Sequence, residues 1–76
     1  MKVEITEGWD GFTLAELGYA RDWEDAFARV RAWAKEYMLY YNYQDRAWGY
    51  TKKPDGVTIV DFGSHRYFAR YMGEPR

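Results

Sequence analysis

Residues 22–41 place Trp23, Ala26, Phe27, Val30, Trp33, Ala34, Tyr37 and Tyr41 at the i, i+3, i+4, i+7 spacing of a helix with one apolar stripe. Asp22 suits the N-cap, Glu24 and Asp25 put negative charge in the first turn where the helix dipole favours it, and Asn42 suits the exit. Asp25 and Arg29 sit four apart and can pair on the outer face. The stripe has to be buried against a second layer, and the rest of the chain reads as strands.

Before the helix, "KVEIT" alternates apolar Val3 and Ile5 with polar Glu4 and Thr6, the period of a half-buried strand. "EGWDG" is a turn signal, and "FTLAEL" reads as the returning strand. Thr13 and Glu16 also form a capping box closed by Gly18, so a single helical turn over 13–18 competes with the strand. After the helix come two hairpins. In "KKPDGV", Pro54 pre-sets the first turn position and Gly56 supplies the left-handed residue of a three-residue loop. In "DFGSHR", Gly63 and Ser64 read as a two-residue turn that pairs Phe62 with His65 and Asp61 with Arg66. Strands are predicted at 46–52, 57–62 and 65–72. The expected fold is α+β, a single compact domain over 1–76 with order β-β-α-β-β-β and one helix packed on one face of an antiparallel sheet.

Strand alternation sorts the side chains. Trp48, Tyr50, Val60, Phe62, His65, Tyr67, Ala69 and Tyr71 are expected under the helix. Ala47, Gly49, Thr51, Val57, Ile59, Asp61, Arg66, Phe68 and Arg70 fall on the other face, half apolar and carrying two arginines. Six aromatic rings lie between residues 36 and 50. Tyr37, Tyr41, Trp48 and Tyr50 are expected in the core, leaving Tyr40 and Tyr43 for an exposed surface. Sixteen aromatics in 76 residues are the compensation a small core needs, and more than it can hide.

Charge is unevenly spread: residues 1–25 hold seven acids against two bases, whereas residues 26–76 hold nine bases against five acids. An acidic end and a mildly basic end are expected. With no cysteine, neither disulfides nor thiolate metal sites can form, and a cytoplasmic location is the expectation. The N-terminus has no signal-peptide pattern and no stretch has the length of a membrane span, so no membrane partner is expected.

Chemistry is thin. The single serine and single histidine, Ser64 and His65, are adjacent on a strand and point to opposite faces. One histidine and no cysteine leave no ordinary zinc or iron ligand set, there is no glycine-rich phosphate loop, and no carboxylate pair stands out by spacing. No catalytic, metal or cofactor site is assigned, and the chain is read as a non-enzyme.

Two binding readings follow. Phe68, Arg66, Arg70 and Tyr43 are aromatic and arginine residues of the kind that anchor protein interfaces, and Glu7, Asp10, Glu24 and Asp25 would steer the molecule toward a basic target. Alternatively, aromatics interleaved with Arg66 and Arg70 on an open sheet face could stack single-stranded nucleic acid, although a pI near 5.7 argues against it. Phe68 with Val57 and Ile59 could also be a homodimer seam, or a face partly covered by the N-terminal hairpin.

The strand-turn-strand leading into "DWEDAFARVRAWA" resembles the β-β-α opening of HicB-like antitoxin domains, with Asp25-Ala26 as the acidic-Ala pair. The run "GYTKKPDGVTIVDFGSHRYFARY" looks like the aromatic-rich meanders of small phage-encoded inhibitors, including some type I anti-CRISPR proteins. That resemblance implies a phage or mobile-element origin and a host protein or nucleoprotein target, and transfers no binding residue. The expected function is a protein-binding inhibitor or adaptor.

Overall fold

The computed structural model describes residues 1–37, 49–64 and 66–73. Five strands and one helix occur in the order β1 (Lys2–Glu7), β2 (Thr13–Tyr19), α1 (Trp23–Tyr37), β3 (Gly49–Lys52), β4 (Thr58–Asp61) and β5 (Tyr67–Met72). All strand pairs are antiparallel, in the spatial order β2-β1-β5-β4-β3. This is the expected α+β architecture, with 13–19 a strand and not a helical turn. Tyr40, Tyr41, Tyr43, Ala47, Trp48 and His65 lie outside the described residues.

Asp22 caps α1 by accepting the Asp25 N–H at 2.8 Å, and the Asp25 carboxylate accepts the Arg21 N–H at 3.0 Å. One donor that the helix leaves unpaired and one from the chain leading into it are thereby satisfied. The stripe then buries Ala26, Val30 and Ala34 against Val3, Ile5, Val60, Phe62, Ala69 and Tyr71 of the sheet layer. Trp33 sits edge-on to Phe62 and Tyr67, with ring centroids 6.3 and 5.5 Å away. Larger rings stand at the margins and small residues at the closest approach, which lets the helix lie near the sheet.

The β3–β4 turn forms as its residues require. Lys53 N–H donates to Val57 C=O at 2.8 Å, and Gly56 adopts φ +87°, a conformation that costs glycine nothing. The β4–β5 connection differs from expectation. Thr58, Ile59 and Val60 pair with Tyr71, Arg70 and Ala69, two residues out from a Gly63-Ser64 two-residue turn. Ser64 is the cause: its buried hydroxyl accepts from the Arg66 and Tyr67 N–H groups and donates to Tyr67 C=O, closing a wider loop. A shift of two keeps each side chain on its face, so Val60, Tyr67, Ala69 and Tyr71 still meet the core.

Phe62 is fully buried and forms one wall of the Trp33 site. Phe62→Ala should cost about 3–5 kcal/mol, a large share of the stability of a domain this small. Urea unfolding followed by tryptophan fluorescence measures it, and a loss below about 1 kcal/mol would show that the core collapses around the gap.

Candidate protein-binding surface

The face away from the helix is partly covered by the N-terminal hairpin, one of the readings the sequence left open, while Thr51, Asp61 and Arg66 on it stay exposed. Thr6 and Ile59 are buried there. The loop joining β1 to β2 folds back over this face and is held by charge. Arg70 on β5 bonds Glu4 at 3.0 Å, Asp10 at 3.3 Å, Thr13 Oγ1 at 2.7 Å and the Gly11 carbonyl at 3.1 Å. Asp10 adopts φ 56° and also pairs with Lys53 beyond β3, so one loop residue ties the β1–β2 hairpin to the far side of the sheet.

Acids and arginines expected on separate surfaces therefore partner one another. Glu7 pairs with Arg66 at 3.0 Å, and the Arg66 guanidinium lies 5.3 Å from the Tyr67 ring centroid. Phe68 is half-buried opposite Thr6. Asp25 holds Arg29 at 3.2 Å, the pairing expected from their spacing, while Glu24 is exposed in the first turn of α1. Tyr43 lies outside the described residues. Asp10 with Arg70 and Glu7 with Arg66 are brought together; Glu24 and Asp25 stand apart at the start of the helix.

Burial pushes the Glu4 carboxyl up, but the Arg70 hydrogen bonds and the charges of Arg70 and Lys2 outweigh it, and its pKa ends below the ordinary value of 4.5. The hydrogen bond from Lys53, assisted by Arg70, holds Asp10 below 3.8. A carboxyl lowered by folding contributes stability that is present above its unfolded pKa and lost as pH falls through the folded one. The clamp should therefore weaken as pH drops below about 4. Arg70→Met leaves Glu4, whose side chain is 6% exposed, without its main partner. The expected cost is roughly 2–3 kcal/mol at neutral pH, with a shallower acid dependence than the parent in urea melts.

What remains exposed lies elsewhere. Trp9, Phe12 and Tyr19 are 54%, 67% and 72% exposed, and Leu14 is also exposed, all on or beside β2. Trp23 and Tyr50 are exposed near Phe27, with Phe27 and Tyr50 centroids 5.8 Å apart, although both were expected in the core. The two sheet edges are unlike. β3 runs into Lys52, Lys53 and Pro54, features that discourage a further strand. β2 is seven residues long, with neither lysine nor proline.

Between β2 and α1 runs a groove of about 650 Å³ lined by Leu14, Ala15, Leu17, Ala32 and Trp33, with Glu16, Arg29 and Glu36. Arg29 donates to the Leu17 carbonyl at 2.7 Å, capping one acceptor of the edge. Sequence reasoning placed β2 but did not find it at an edge, because edge position depends on where β5 pairs. The absence of lysine and proline from "TLAELGY" was the available signal.

Among the described residues no group of three or more histidine or acidic side chains is placed to hold a metal, and no helix is long and apolar enough to cross a membrane. No family model, curated protein or solved structure matches the chain.

Proposed function

We propose that this chain is a non-enzymatic protein-binding inhibitor or adaptor, in the manner of small phage-encoded inhibitors of the anti-CRISPR type, and that it occupies a host protein surface through the β2 edge. The observation that carries this reading is the contrast between the two edges: β3 runs into lysines and proline, whereas β2 lacks both over seven residues and carries exposed Leu14 and Tyr19 next to exposed Phe12. An exposed edge strand beside an apolar groove supports binding by strand addition, with main-chain bonds giving affinity and side-chain pockets giving specificity. The lack of cysteine suits action in the reducing cytoplasm. The single-stranded nucleic-acid alternative relied on Arg66 and Arg70 on an open sheet face; Arg70 is engaged with Glu4, Asp10 and Thr13, and Arg66 pairs with Glu7.

Leu14→Asp alters an exposed position and should change folding stability by less than about 1 kcal/mol. In affinity capture from nuclease-treated bacterial lysate, it should reduce recovery of a stoichiometric host protein roughly tenfold or more. Lys52→Glu on the opposite edge should leave recovery unchanged. Equal losses from the two variants would count against β2, and recovery that vanishes with nuclease would favour nucleic acid.

A further inference from the structure

β2 offers two different surfaces to a strand laid beside it. Ala15 stands opposite Ile5, a core residue, so Ala15 and Leu17 turn toward α1 and the apolar groove. Glu16 stands opposite Glu4 and so on the other face, where its side chain is 67% exposed and meets Lys2 at 3.4 Å. On the helix side the groove is rimmed by exposed Glu36, while its one cation, Arg29, is already held by Asp25 and the Leu17 carbonyl. Glu7 N–H bonds the Phe12 carbonyl and Met1 exchanges bonds with Ala20, so the main chain of Ile5 also faces β2 and that of Ala15 opposite it points to β1. Glu16 sends its N–H and C=O to the open side, and the register shift beside it turns the Leu17 carbonyl out to Arg29.

We propose that β2 pairs with an extended segment of a partner protein in which apolar residues alternate with lysine or arginine. The apolar side chains enter the groove over Trp33, Ala32 and Leu17, and the basic ones lie beside Glu16 on the opposite face. The alternation follows from strand geometry, since successive residues of the added strand meet the two faces in turn. The sign of the charge follows from Glu16, the exposed carboxylate on that face. This assignment rests on the edge-binding reading above and adds the chemistry of the partner.

A second copy of this chain fits less well. A two-fold axis through Glu16 sets two carboxylates opposite each other, which is destabilising. Moving the axis to Leu17 brings Gly18, at φ +80°, into the ladder, and moving it to Ala15 leaves only Thr13–Leu17 paired.

The test titrates the isotope-labelled full chain, at low ionic strength, with a short synthetic peptide alternating valine and lysine, against one alternating valine and glutamate. The lysine peptide should shift the Glu16 amide and slow its hydrogen exchange, and should bind roughly tenfold more tightly than the glutamate peptide. Glu16→Lys, at an exposed site and checked for folding by circular dichroism, should reverse that preference.

Binding of neither peptide, equal binding of both, or an unchanged order in Glu16→Lys would overturn the assignment. If the peptides fail while Leu14→Asp still loses the captured protein, the partner chemistry is wrong and edge binding stands. If Leu14→Asp retains capture, both fall. A chain mass that doubles by light scattering, and returns to monomer in Leu14→Asp, would assign the edge to a second copy and overturn the proposal.

Discussion

Pairing of the first strand with the last is the constraint on which the rest of the molecule depends. Six residues of β1 align with six of β5, from Lys2 opposite Met72 to Glu7 opposite Tyr67. Without that ladder the chain would be two units, a hairpin with a helix and a three-stranded meander, each with one apolar face and nothing to cover it. With it, Val3 and Ile5 from one end of the chain join Ala69 and Tyr71 from the other as a single floor for α1. Closing so long a loop costs entropy that only non-local burial can offset.

The same ladder explains the charges. Glu4 lies opposite Arg70, and Glu7 and Arg66 flank the other end of the pairing, so the acidic N-terminal stretch and the basic C-terminal stretch neutralise each other across neighbouring strands. Arg70 can serve four acceptors because its planar guanidinium presents five donors in a fixed fork. The β1–β2 loop is drawn over the far sheet face as a result. That engages Arg70 and Arg66 with acids and shifts the search for a binding surface to the edges.

Edge character is likewise set by the ladder. Because β5 takes one side of β1, β2 is left outermost with its exposed apolar residues, and the meander's β3 becomes the opposite border. A strand of identical sequence in the middle of a sheet would have its main chain fully paired. Here its outer main-chain groups are met only at the Leu17 carbonyl, by Arg29, among the described residues.

Local chemistry in the sequence determined the helix with its Asp22 cap, the Pro54–Gly56 turn and the faces of β4 and β5, since spacing, caps and turn residues act over a few neighbours. The two-residue turn at Gly63-Ser64 was misread because a serine hydroxyl bonding backbone three residues on competes with the turn that the dipeptide alone favours. Glu7, Asp10, Arg66 and Arg70 were legible as charged residues, but their partners were not. Ion pairing between residues 59 to 66 positions apart depends on strand order and register, which are settled by the mutual fit of the whole sheet. Only the tertiary structure decided how far each face is covered and which strands stand at the edges, because burial and edge position belong to the assembled sheet and to no segment of it.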